Sequence, residues 1–314
     1  MEGTPLRFVA LFGGIIALFI VIGGLVGEYL FGSWIAGLVI ALGLSLVLNL
    51  VSYFFCDRFV LWSSHAKIVG PDDVPRLTRI VNELAPIFGL THPRLALIPS
   101  QTANAFATGR DERHAVVAVT EGILPALDDR ELRGVLAHEL AHVKDHDILV
   151  MTFAATMAGA ISYAAQAVFF SMFFGGGNSR SNVNPLLLIV AVITAPIAAL
   201  LIRLAISRSR ESRADEVGAR TIGDPASLAD ALEKLEASNT RRPLGFGSPA
   251  TSSLFIVNPF RGGALAGLFS THPPTAKRIA RLRAMSADFR YRPRVAPPAV
   301  RSRVPSSSGT VARP

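Results

Sequence analysis

The sequence predicts an α-helical membrane protein of about four transmembrane helices, with a small α+β domain built from its polar segments. Three observations predict it: an apolar composition, four long runs without charge, and mixed helix and strand periodicity between them. Half of the 314 residues are hydrophobic and only 17% are charged, with a mean hydropathy of +0.42. A soluble domain carries roughly 25% charged residues. This composition excludes a disordered or collagen-like chain. A lone cysteine, Cys56, excludes an internal disulfide framework. The net charge of +8 and pI near 10.3 point, in so apolar a chain, to anionic lipid headgroups as a partner and not to nucleic acid.

A bilayer crossing needs about 20 apolar residues. Residues 8–26, 33–56, 148–174 and 185–201 each supply roughly that, the second closed by Asp57-Arg58 and the fourth by Arg203. A cleaved signal peptide is excluded for the first run, because signal cores hold only about 7 to 15 apolar residues. The loop after the first run has Glu28 and no positive charge, and the loop between the third and fourth has Arg180 as its one basic residue. Almost all other Lys and Arg lie in 57–147 or beyond 202. Four spans place those two regions on one face, which the positive-inside rule makes cytoplasmic. The expected organisation is therefore two spans in 1–56, a cytoplasmic part in 57–147, two spans in 148–206, and a second cytoplasmic part in 207–286. A tail at 287–314, rich in Arg, Pro and Ser, is expected to be disordered.

In the first polar part, Val74, Leu77, Ile80, Val81, Leu84 and Ile87 repeat at helical spacing. Residues 94–98 read as a strand. Residues 104–109 and 114–120 read as two more around a polar turn. Asp128, with Glu131 three residues on, is an acidic form of the capping box and should open a helix running through Val143. The second polar part holds expected helices at 208–221, 226–237 and 275–285. Between the last two lies an irregular stretch, 239–274, long enough to act as a lid.

The helix opened by Asp128 contains His138-Glu139-Leu-Ala-His142. Side chains at i and i+4 share one helix face about 5 to 6 Å apart. Two imidazoles so placed can hold one zinc ion, with the intervening Glu set to move a proton for hydrolysis. The apolar filling fits a buried active-site helix. A catalytic zinc usually takes a third protein ligand. His146 is unsuited, since a continuous helix would carry it about 12 Å from His138. Glu211 and Asp215, at i and i+4 in Ser209-Arg-Glu-Ser-Arg-Ala-Asp, are better suited. One can bind metal while the other accepts a hydrogen bond from a ligand histidine. Spacing alone leaves an alternative equally open: a solvated face whose Arg208, Arg210 and Arg213 meet lipid phosphates.

Taken in order, HExxH beside membrane spans, the later Glu-x-x-Ala-Asp (211–215), Asn-Ala-Phe-Ala-x-Gly (104–109) and His-Pro-Pro-x-x-x-Arg-Ile (272–279) resemble the HtpX family over about residues 5–285. These are membrane-embedded zinc endopeptidases related to the prenyl-protein (CAAX) endopeptidases. The resemblance implies a zincin-like metallopeptidase domain, with one Zn2+ on His138, His142 and Glu211, Glu139 as catalytic base, and Asp215 behind a ligand. It also implies clearance of misfolded membrane proteins under stress. The tail beyond Met285 is not part of the pattern.

Asn104, Ala105, Phe106 and Ala107 are expected to form an edge strand on which an extended substrate pairs. His272 is a candidate oxyanion stabiliser, set against a purely structural role before Pro273-Pro274. The function expected is a zinc endopeptidase of the cell membrane, its site facing the cytoplasm and its substrates unfolded membrane polypeptides. The alternative is a non-enzymatic scaffold or transport component with a structural metal. Structural zinc sites usually close with four Cys or His ligands, and the single cysteine argues against that.

Overall fold

The computed structural model describes residues 3–157, 208–244, 254–258 and 273–291. The chain opens with a hairpin of two long helices, α1 (Gly3–Phe31) and α2 (Trp34–Ser63). Ser33 caps α2 by accepting from the Ala36 amide, and Gly32 makes the turn at φ +62°. The two helices touch backbone to backbone through glycines. A Cβ on Gly37 would lie 2.1 Å from the Gly23 carbonyl oxygen, and one on Gly27 would lie 2.3 Å from the Gly37 Cα. Small residues at four-residue spacing are how apolar helices approach closely where no hydrophobic force separates them from lipid. Large apolar side chains including Val21, Leu25, Trp34, Val39 and Leu50 point outward. Helix α2 has the length and apolarity to cross a membrane.

Both helices exceed the apolar runs that announce them. Helix α2 passes through Asp57-Arg58 and continues to Ser63. Asp57 pairs with Arg94 at 3.4 Å and the Arg58 guanidinium lies over Phe55, so the charges are accommodated without ending the helix. Of the third apolar run only the beginning is described, in a helix over Asp147–Met157. The remainder and the whole fourth run lie outside the described residues.

After α2 comes a four-stranded sheet: β1 (Lys67–Val69), β2 (Arg94–Ile98), β3 (Ala105–Thr108) and β4 (Val116–Thr120), in the order β1-β2-β4-β3. Strands β2 and β4 are parallel, and β1 and β3 run antiparallel to their neighbours at the two edges. Strand β1 was not expected, being three residues without alternation. The expected strand from His114 begins at Val116 instead. Asp111 caps a single turn, Glu112–His114, by accepting from the His114 amide.

One face of the sheet packs on α3 (Pro75–Phe88), whose buried stripe is Leu77, Ile80, Val81, Leu84 and Phe88. A short helix α4 (Ile123–Ala126) leads into α5 (Asp129–Lys144) on the same side. The capping box is formed: Asp128 accepts from the Glu131 amide at 2.8 Å, and Glu131 accepts from the Asp128 amide at 2.9 Å. The other face, with Ala96, Ile98, Phe106, Val116 and Ala118, shares a core with Leu11 and Ile15 of α1 and Val60 of α2. Helix α6, described over Asp147–Met157, joins this core through Val150 and Phe153. The sheet is thus a layer between the membrane-type helices and the helices of the site.

Three helices complete the second polar part: α7 (Arg208–Ile222), α8 (Pro225–Arg241) and α9 (Thr275–Tyr291). Helix α9 runs past residue 287, where the tail was expected to begin. Glycine lets α7 and α8 close on α5. A Cβ on Gly218 would stand 3.0 Å from His138 N, and one on Gly134 would stand 2.7 Å from Leu228 N.

Candidate active site

Helix α5 places His138, Glu139 and His142 on its buried face. The two imidazoles lie at 4.8 Å between ring centroids and nearly perpendicular, at 89°. Helix α7 brings Glu211 opposite them, and Gly218, seven residues on, allows the approach. His138 Nε2 is 3.8 Å from Glu211 Oε2, and His142 Nε2 is 3.5 Å from Glu211 Oε1. One ligand atom from each of the three residues falls within 4.8 Å of the others. Ligand atoms around a tetrahedral zinc at about 2.0–2.1 Å stand about 3.4 Å apart, so these spacings need little closure.

Each histidine also turns its other nitrogen to a carboxylate. His138 Nδ1 is 3.0 Å from Asp215 Oδ1, although at an angle outside that of a well-formed hydrogen bond. His142 Nδ1 is 3.8 Å from Asp147 Oδ2, and Asp147 in turn holds Arg210 Nη1 at 2.9 Å. A carboxylate behind a ligating histidine fixes its tautomer and raises its basicity. Helix α5 does not continue into α6. His146 adopts a left-handed φ of +56°, and this break turns Asp147 back towards His142. His146 itself stays half-exposed, its Nε2 3.7 Å from Glu112.

Asp215 is gripped from behind by Arg278 of α9, with hydrogen bonds from Nε at 2.9 Å and Nη2 at 2.7 Å. Both side chains are buried. Burial alone would raise the Asp215 pKa, but the Arg278 guanidinium and His138 hold it well below the usual carboxylate range. Arg278 belongs to the His-Pro-Pro-x-x-x-Arg-Ile run, but no local spacing marks Asp215 as its partner. Asp147 carries no signal in the sequence either, since nothing in the local pattern announces the break that redirects it.

Electrostatics separates the three α5 groups. Burial lowers His138 to about 4 despite Asp215. Burial would also lower His142, but Glu211 and Asp147 outweigh it and raise that imidazole to about 9. Burial pushes the Glu139 carboxyl up to about 7, with the Ala107 amide of β3 among the groups stabilising its charged form. A carboxyl poised near neutrality is suited to taking and returning a proton. His142 Nε2 has no hydrogen-bond partner among the described residues. Two imidazoles with one carboxylate are a donor set that suits zinc, and the spacings of 3.5 and 3.8 Å between the Nε2 atoms and the Glu211 oxygens match those of ligands sharing one ion.

The pattern of Peptidase family M48 matches residues 71–286, which include strands β2 to β4 and every residue described in this site. The chain belongs to that family. It is 50% identical over 262 residues to the protease HtpX homolog of Pyrococcus furiosus, covering 83% of this chain and 90% of that one. The homolog of Syntrophobacter fumaroxidans is 50% identical over 287 residues, covering 90% of this chain and all of the other. That of Paraburkholderia phytofirmans is 49% identical over 285 residues, with 90% and 96% covered. Among solved structures, S. mikatae Ste24p aligns at a TM-score of 0.45 and 18% identity, over 87% of this chain and 63% of that one. As an M48 peptidase of the HtpX type the chain is a membrane-associated metalloendopeptidase, and among its described residues one helix, α2, is long and apolar enough to cross a bilayer.

Asn104, Ala105, Phe106 and Ala107 are all buried, on or beside edge strand β3. Arg210 and Arg213, offered in the alternative reading as lipid contacts, pair with Asp147 and Asp145. His272 lies outside the described residues.

Proposed function

We propose that the chain is a zinc-dependent endopeptidase of the cell membrane that cleaves misfolded or damaged membrane proteins at the cytoplasmic face, as part of a stress response. The observation that carries the reading is the buried group of His138, His142 and Glu211, with Glu139 between the histidines in sequence and beside β3 in space. In this reading the three residues hold one zinc ion, and Asp215 and Asp147 orient the imidazoles from behind. Zinc supplies an electrophile that polarises the scissile carbonyl and acidifies water. Glu139 takes a proton from the attacking water and returns it to the leaving amine nitrogen. The outward edge of β3 binds the substrate backbone in extended form, which gives affinity with little sequence preference.

The reading takes four spans with the polar parts on the Lys- and Arg-rich side, so that the site faces the cytoplasm by the positive-inside rule. Anionic headgroups then meet the basic face, and substrates arrive from the bilayer. The decisive comparison is wild type against Glu139→Gln, both purified in detergent with zinc and offered casein. Cleavage by wild type alone, abolished by a chelator and restored by zinc, is expected. Zinc bound by both proteins with no cleavage by either would favour a structural metal in a scaffold.

A further inference from the structure

The outward edge of β3 is occupied by the chain itself. Strand β3 alternates along its length. The Asn104 carbonyl faces β4, accepting from the Thr120 amide at 3.0 Å, so Ala105 and Ala107 direct their backbone groups away from the sheet. The Ala105 carbonyl accepts from the Ile256 amide at 3.0 Å. Asn104 extends the pairing with its side chain. Its Nδ2 donates to the Val257 carbonyl at 2.7 Å, and its Oδ1 is 3.4 Å from the Val257 amide. The Phe255 ring meets the Phe106 ring edge-on at 5.0 Å. Residues 255, 256 and 257 thus lie against 106, 105 and 104, as a bend and not as a regular strand. The Ile256 carbonyl is held by Arg278 Nη1 at 2.7 Å, the same guanidinium that grips Asp215. Phe255, Ile256 and Val257 are buried.

We propose that residues 254–257 are an internal plug covering the peptide-binding edge of β3, so that substrate binds by displacing them. The occupant also reports the chemistry the edge accepts: an apolar segment with a bulky or aromatic side chain seated against Phe106. This rests on β3 being the peptide-binding edge, as read above. Leu254 and Phe255 enter the core shared with the membrane-type helices, whereas Ile256 and Val257 enter the core of α5, so the segment is anchored in the packing on both faces of the sheet. Occupancy by the chain's own segment lowers apparent substrate affinity by the fraction of molecules in which the edge is open. The Arg278 bond places the release of this segment next to the group that orients His138.

The test uses the full chain in detergent and a fluorescent peptide, Leu-Phe-Ile-Val-Asn, copied from residues 254–258. Binding is measured on Glu139→Gln, so that nothing is consumed, with and without Ile256→Pro, which removes the amide donated to Ala105. Losing one hydrogen bond should open the edge enough to tighten peptide binding roughly threefold to tenfold. Phe255→Ala, which keeps the backbone bonds and loses the ring contact, should act in the same direction. A peptide with Asp in place of Phe should bind more weakly to every variant. Thermal unfolding identifies the variants that remain folded. If both do, and neither binds peptide more tightly than the parent, residues 254–257 are a fixed part of the packing and the proposal is overturned. Cleavage of casein by the wild type in that event leaves the peptidase reading standing. Tighter peptide binding by the variants without wild-type cleavage upholds the internal plug and overturns the peptidase reading alone.

Discussion

Asp215→Asn is the sharpest test of how the site is held together. The substitution keeps the side-chain shape but leaves the Arg278 guanidinium without its partner in the interior, where Asp215 is 2% and Arg278 3% exposed. Breaking a buried ion pair by removing one member costs about 3–5 kcal/mol. Glu211 and Glu139 also act on Arg278 electrostatically, which favours the lower end, about 3 kcal/mol. For a folding unit the size of the matched peptidase region, each kcal/mol corresponds to about 2–4 °C in Tm, so a fall of about 6–12 °C is expected. Asp230→Asn is the control. That carboxylate pairs with Arg130 and Arg283 at 2.7 Å near the surface, where a pair contributes less than about 1 kcal/mol. Adding Arg278→Gln to Asp215→Asn removes the stranded charge and should recover part of the loss. The pH dependence has a definite sign. A carboxylate whose pKa is depressed in the folded state stabilises fully above its unfolded pKa, near 4, and loses that contribution as pH falls towards the folded value. The advantage of wild type over Asp215→Asn, followed by thermal unfolding, should therefore be constant above about pH 4 and shrink below it. Equal Tm changes for Asp215→Asn and Asp230→Asn, or strict additivity in the double variant, would refute the reasoning.

Two further outcomes follow from the same packing. His142, raised to about 9 in the metal-free site, carries a proton at neutral pH that a cation must displace. Zinc binding at pH 7 should release about one proton per ion, and apparent affinity should rise roughly tenfold per pH unit until that proton is gone; calorimetry in buffers of differing ionisation enthalpy reads both, and no buffer dependence would contradict the assignment. Gly134→Ala forces a methyl against the Leu228 amide and the Ser227 hydroxyl, at 2.7 and 2.8 Å. Overpacking of this kind costs about 1–3 kcal/mol and should lower Tm while leaving α5 helical by circular dichroism.

What could be read from the residues follows the range of the interactions. The i, i+4 spacing of His138 and His142 sets their rings side by side through helix geometry alone, and Asp128 with Glu131 closes a capping box within four residues. The apolar stripe of α3 is equally local. Groups joined over long separations left no such trace. Arg278 meets Asp215 across 63 residues, and Asn104 meets Val257 across 153. Asp147 is near His142 in sequence, but its orientation depends on a left-handed residue at His146, a conformation that non-glycine side chains adopt rarely. Helix α2 outran its apolar segment because Asp57 found Arg94, a partner 37 residues away.

The sheet's two faces explain why an edge strand, a metal-type cluster and apolar helices belong together in one chain. Ala105 and Ala107 lie in the core shared with α5, while Phe106 between them lies in the core shared with α1, α2 and α6. The strand that passes Glu139 is therefore held in register from below by the helices suited to the bilayer. Phe153 of α6 illustrates the join: it packs in the core that includes Phe106 and stacks on Phe12 of α1 at 5.9 Å. A shift of α1 or α6 moves Phe106, and Ala107, whose amide serves Glu139, is the next residue along. Disturbing the helical layer should consequently alter peptide binding before it alters the metal-type cluster, because Glu211 and the histidines are braced from the opposite side by α7, Gly218 and Arg278. Phe12→Ala provides that separation, with weakened peptide binding expected at unchanged zinc affinity; equal loss of both would mean that the two layers form a single unit.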